Sequence, residues 1–159
     1  MPKDARRRLR LDEFVPYRLS VLTNTVSAAI AGAYAERFGL SIPEWRVLAV
    51  LALEPGLSAA TVAERTAMDK VAVSRAVSGL LRTRRLVRGF ANADRRRSVL
   101  RLSAAGEQVY WRVVPFARRY ERRLLADLTR TERGQLDALL AHLQARALAL
   151  GPVIPDETE

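Results

Sequence analysis

Between positions 69 and 82 the chain reads DKVAVSRAVSGLLR, with apolar and polar residues recurring at helical spacing. Val73, Val77, Leu80 and Leu81 fall on one face of such a helix, which leaves Val71, Arg75, Ser78 and Arg82 on the other. That outer face carries groups complementary to base edges in a major groove. Arg75 is able to donate a bidentate pair to guanine, Lys70 and Ser74 near the amino end reach bases or phosphates, and an outward Val71 meets thymine methyls. A second cluster, NADRRRS, concentrates Arg95, Arg96 and Arg97, with Asp94 placed to brace one of them by a charge-assisted bond. Arginines at a narrow tip suit the minor groove, where negative potential is enhanced. The competing reading of both clusters is a solvated basic surface.

The chain offers little else for chemistry. It has no cysteine, so disulfides, thiolate metal sites and thiol switches are excluded. Its single histidine, His142, lies in a leucine-rich helical stretch and reads as structural or solvent-facing, because the other ligands of a metal site are scarce. There is no glycine-rich phosphate loop and no nucleophile elbow. These residues point to neither an enzyme nor a bound cofactor or metal.

Charge points to a polyanionic partner. Lysine and arginine number 27 against 17 acidic residues, a formal net charge of +10, which favours nucleic acid, with anionic membrane as the competitor. No apolar run approaches the roughly 18–20 residues that span a bilayer, and no signal-peptide pattern opens the chain, so a cytoplasmic protein is expected. With 159 residues, 49% of them hydrophobic, the sequence suffices for one globular domain with its own core.

The elements that must position these residues follow from periodicity and caps. Residues 1–10, MPKDARRRLR, form a basic arm or a solvated tail. From Leu11 apolar positions at spacings of three and four predict one long amphipathic helix that stops at Gly39. Ser41 with Glu44 forms a capping box for a second helix, through Pro43 to about Leu53. Pro55-Gly56 breaks the chain, Ser58 caps a short third helix, and Asp69 caps the fourth. Two short helices across a tight turn make a helix-turn-helix. The stretches Leu86–Ala91 and Ser98–Ser103, joined by NADRRR, predict a β-hairpin with a charged tip. Ser103 is placed to cap a long helix to Leu128, which Pro115 is expected to bend; Thr129 and Glu132 form a second capping box, and Leu136, Leu139, Leu140, Leu143 and Leu150 stripe the last helix.

The fold expected is therefore mainly α (α+β): one domain over 11–159, with a winged helix-turn-helix at 41–102 flanked by long helices at 11–40 and 103–150. A head of this size cannot cover the apolar stripes of the flanking helices, so a second copy of the chain is the expected partner, giving a homodimer.

The segments PEWRVLAVLAL, SAATVAERTAMDKVAVSRAVSGLL and NADRRRSVLRLSAAGEQVY resemble the MarR family of bacterial transcriptional regulators over about residues 11 to 145. The resemblance implies a homodimer on a pseudo-palindromic operator in double-stranded DNA, acting as a repressor released by small, often phenolic, ligands. It places Arg96 at the Asp-x-Arg position of the wing, for minor-groove insertion. One departure is visible: the family commonly has a glycine ahead of Leu-Val, where Arg84 and Arg85 precede Leu86-Val87 here, so a cheap left-handed helix end is missing.

The family also implies a pocket between dimerisation helices and reading head. Arg46 is the only charged residue between Trp45 and Leu53; a buried guanidinium needs an anion, and Trp45 beside it is suited to stack on an aromatic ring, which suggests an aromatic carboxylic acid as effector. Alternatively Arg46 snorkels to the surface or pairs with Glu44 or Glu54. Arg18 and Asn24 are further pocket candidates. The other functions weighed are a non-specific architectural DNA-binding protein, a regulator without ligand control, and a protein-interaction or membrane-surface module.

Overall fold

In a computed structural model the residues described are 8–91 and 94–151, with only the backbone described for Ala91 and for Asp94–Arg97. The order is α1 (Val15–Phe38), α2 (Ile42–Leu53), α3 (Ala59–Thr66), α4 (Lys70–Arg82), β1 (Leu86–Ala91), β2 (Asp94–Leu102), α5 (Ala104–Leu124) and α6 (Arg130–Leu150). The chain divides at Pro115/Phe116 into two compact units.

Local chemistry sets the helix ends. Helix α1 begins at Val15 and not at Leu11: Pro16 occupies its first turn, and the preceding segment turns on Arg10, which pairs with Asp12 at 2.6 Å and Glu13 at 2.8 Å. It closes at Gly39, whose φ of +59° is the left-handed conformation glycine adopts without cost. At α2 the Ser41 hydroxyl accepts from the Glu44 N–H, while the Glu44 carboxylate accepts from the Ser41 N–H at 2.8 Å, so both arms of the expected box are present. Ser58 and Asp69 accept from Thr61 and Ala72 N–H groups and start α3 and α4. Between those helices Ala67 takes a left-handed φ of +50° and turns the chain.

The hairpin differs from expectation in its second strand. Strand β2 starts at Asp94, so Asp94–Arg97 belong to the strand and not to the connecting turn, with the register shifting between Phe90 and Ala91. The extra residues on one strand against a short partner make a bulge. A third segment joins the sheet: Leu57 bridges Leu100, with the Leu100 N–H donating to Leu57 O at 2.8 Å and the Gly56 N–H to Leu100 O at 2.9 Å. Helix α5 ends at Leu124, short of Leu128. The turn that follows is held by Arg133, whose guanidinium donates to Leu125 O at 2.7 Å and Leu128 O at 3.1 Å.

Every buried hydrophobic among the described residues lies in the first unit. Leu40, Val47, Leu48 and Leu51 meet Val62, Val73, Val77 and Leu80, with Leu86, Val99, Leu100 and Val113 closing the core. Tyr34 is buried there beside Phe38 and Trp45, and burial pushes its phenol pKa up. No residue of α6 is buried.

Candidate nucleic-acid interface

Helix α4 sits on α2 and α3 through Val73, Ala76, Val77 and Leu80, all nearly inaccessible, and so presents its opposite face outward. Lys70, Val71, Ser74, Arg75, Ser78 and Arg82 are all exposed, Val71 at 59%. An apolar residue that open gains little from burial among the described residues. Arg75, Arg82, Lys70, Ser74 and Ser78 make no side-chain hydrogen bond or ion pair with any described residue, so their donors are available.

Two clefts flank this face. On one side Arg75 and Arg82 join Ser74 and Ser78 of α4 with Pro43 and Glu44 of α2 around a cleft of about 660 Å³. At Gly79 an added Cβ would strike the Glu44 carboxylate on the wall of this cleft. On the other side Lys70, Ser74 and Ser78 share a cleft of about 300 Å³ with Ala59, Ala60 and Arg88 of β1. Ser74 and Ser78, one helical turn apart, therefore form the crest of α4, with Arg75 and Arg82 tipped toward α2 and Lys70 toward the hairpin.

How α4 ends explains the arginine pair at the missing glycine. Arg84 has a φ of +56°, so the left-handed exit is present with arginine in it. The Arg84 N–H donates to Leu81 O at 3.0 Å and the Arg85 N–H to Leu80 O at 2.8 Å, the pair of bonds that defines a Schellman end. The Arg85 side chain then reaches the end of α1, donating to Gly39 O at 2.7 Å and Phe38 O at 2.8 Å. Ser103 completes the junction: its hydroxyl donates to Arg84 O at 2.6 Å and accepts from the Gly106 N–H at 3.1 Å, and its own N–H donates to Arg85 O at 3.0 Å. A Cβ at Gly106 would collide with that Arg85 carbonyl, so α5 starts tight against the exit of α4.

A short helix, a left-handed turn, an outward basic helix and a hairpin form a winged helix-turn-helix. Residues 38–97 match the model of the MarR family. A MarR/EmrR family transcriptional regulator from Acinetobacter sp. ADP1 superposes with a TM-score of 0.81 at 27% identity, covering 87% of this chain and 97% of that one. A MarR family regulator from Silicibacter pomeroyi gives 0.74 at 28% identity over 94% of this chain and 100% of that one. The PcaV transcriptional regulator of Streptomyces coelicolor, solved in complex with its natural ligand, gives 0.75 at 27% identity over 87% and 97%. The chain shares the fold of MarR transcriptional regulators, and its residues 38–97 are similar to that family. A search of curated protein sequences returns no match.

In the winged helix-turn-helix that the chain shares with these regulators, α4 stands at the place of the recognition helix and β1–β2 at that of the wing. The wing residues Asp94, Arg95, Arg96 and Arg97 lie on β2, and their side chains fall outside the described residues. The ligand candidates are placed on separate surfaces. Trp45 is half-buried and stacked on Tyr110 with centroids 5.7 Å apart, its edge toward Tyr34. Arg46 is half-buried and has neither acidic partner expected for it: Glu44 serves its capping box and Glu54 pairs with Arg65 at 3.0 Å. Arg18 and Asn24 are exposed on α1, and the clefts lined by Arg18 contain no residue of α2. His142 is exposed on α6, and no group of metal-ligating side chains is present among the described residues. No described helix is long and apolar enough to cross a membrane. The sequence reading gave no role to Arg88 on β1, and it noted Arg85 without its contacts to the end of α1. Each is one arginine among 27 basic residues, and only strand register and packing distinguish it.

Proposed function

We propose that the chain is a cytoplasmic, non-enzymatic repressor of the MarR type that binds a pseudo-palindromic operator as a homodimer. The observation that carries this is the outer face of α4, where Arg75, Arg82, Ser74 and Ser78 converge with no partner among the described residues. Placed in a major groove, Arg75 gives a bidentate pair to guanine and Val71 covers a thymine methyl, while Arg96 on the wing enters the flanking minor groove. Two heads read two half-sites when their α4 helices stand one DNA turn apart, ~34–36 Å. The dimer is supported by α6, which has no buried residue yet carries exposed Leu139, Leu140, Leu143, Leu148 and Leu150. Isolated helices gain little stability in water, so such a stripe calls for a covering surface.

The test is selection of bound duplexes from a random library at physiological salt, with wild type and Arg75→Ala in parallel. Wild type is expected to recover an inverted repeat with half-sites one turn apart; Arg75→Ala is expected to lose discrimination at one guanine per half-site, about 1–3 kcal/mol. Recovery of no motif would instead make the protein an architectural binder.

For an effector, support comes from Arg46, a half-buried cation with no partner among the described residues, which follows Trp45 of the Tyr34–Trp45–Tyr110 aromatic cluster in sequence. An aromatic carboxylate supplies the missing anion and a ring for that cluster. The ligand shifts the dimer toward a spacing that fits the operator poorly. Arg46→Ala is expected to abolish release from the operator by aromatic acids while leaving operator affinity nearly intact; a variant still released normally would remove the idea.

A further inference from the structure

Among the described residues, the smaller cleft beside α4 is lined by two cations and no anion. Arg88 lies on β1 at the same face as Leu86, since strand side chains alternate and Leu86 is buried against the helices. It therefore faces α4, where it shares the cleft of about 300 Å³ with Lys70, Ser74 and Ser78 and with Ala59 and Ala60 at the start of α3. Arg88 and Lys70 are exposed, and neither makes a hydrogen bond or ion pair with any described residue. Two like charges converging on hydroxyl donors without an acid between them gain nothing for the fold.

The position says what the missing anion is. An α-helix of about 10–12 Å diameter fills a major groove of about 12 Å, so a side chain carried on a neighbouring element beside the helix, as Arg88 is on β1, faces the sugar–phosphate backbone and not the bases. The Arg88 cleft flanks α4 on the side away from α2, across the Ser74–Ser78 crest. We infer that Arg88, with Lys70 and Ser74, holds a backbone phosphodiester at the edge of the major groove and fixes the register in which α4 reads. This assignment rests on the DNA-binding reading and separates a positioning cleft from the reading face that carries Arg75 and Arg82.

The experiment is operator binding over a series of salt concentrations for wild type, Arg88→Ala, Arg88→Gln, Arg88→Lys and Arg75→Ala, with thermal melting of each protein as control. Both neutral variants at position 88 are expected to reduce the slope of log K against log salt by about 0.9 for each of the two Arg88 residues of a dimer, about 1.8 in all, to weaken binding equally on operator and random duplex, and to melt as wild type does. Arg88→Lys is expected to restore the slope, and Arg75→Ala to change base preference. An unchanged slope in both neutral variants, or a changed base preference at one position, overturns the phosphate assignment while leaving DNA binding in place. Failure of wild type to bind any duplex overturns that assignment together with the reading beneath it.

Discussion

Arg84 occupies a conformation that L-residues enter at a cost of about 1–2 kcal/mol, because Cβ crowds the following carbonyl. Only its backbone is used by the junction: its carbonyl accepts from Ser103 and its N–H donates to Leu81. Glycine would keep both bonds and lose the clash, against a smaller loss from the freer unfolded chain. Arg84→Gly is therefore expected to stabilise the protein by about 0.5–1 kcal/mol, measured as a higher Tm; an unchanged or lower Tm would show that the arginine side chain contributes what its backbone costs. Arg85 differs, because its guanidinium satisfies two carbonyls at the end of α1. Adjacent residues of one type thus do unlike work, one through φ and one through its donors.

At the scale of elements, caps and turns decide where helices stand. The Glu132 carboxylate accepts from the Thr129 hydroxyl and N–H at 2.7 Å each, and these bonds hold its pKa below the ordinary value. A depressed folded pKa contributes stability above the unfolded glutamate pKa of about 4.3, and that contribution is lost as pH falls through the folded value. The amino end of α6 is expected to fray on acidification, seen as shifts of the amide signals of residues 130–133. Thr129→Ala should raise the Glu132 pKa toward the ordinary glutamate value in an NMR titration; a Glu132 already at that value in wild type would remove the box as the cause. On α4, the matching device is Asp69, which accepts from the Ala72 N–H at 2.8 Å and fixes where the recognition helix begins.

For the whole molecule the question is how the helices outside the reading head are covered. The core of the first unit draws on α1 to α5, whereas α6 brings no buried residue. Exposed Phe14, Val15, Tyr17, Leu19 and Leu22 on and before α1 repeat the pattern at the other end. The proposed homodimer would cover both stripes, and its stability would then depend on protein concentration. Wild type is expected to sediment as a dimer with a Tm that rises with concentration. Leu139→Glu combined with Leu143→Glu, one helical turn apart, should shift the protein toward monomer and weaken operator binding by an order of magnitude or more. A variant that stayed dimeric would place the interface elsewhere.

The sequence by itself determined the helices with hydroxyl or carboxylate caps, the order of elements and the outward residues of α4, because capping, helical period and burial of an apolar stripe are local or nearly so. The left-handed turn at Arg84, the early start of β2 and the Leu57–Leu100 bridge were not legible. Each is imposed by distant partners: Arg84 by Ser103, β2 by its pairing with β1, and Leu57 by the edge of that pair. The same reason governs the site. Spacing alone places Arg75, Ser78 and Arg82 on one helix face, whereas only tertiary packing brings Arg88 from the wing to Lys70, and Arg85 to the end of α1.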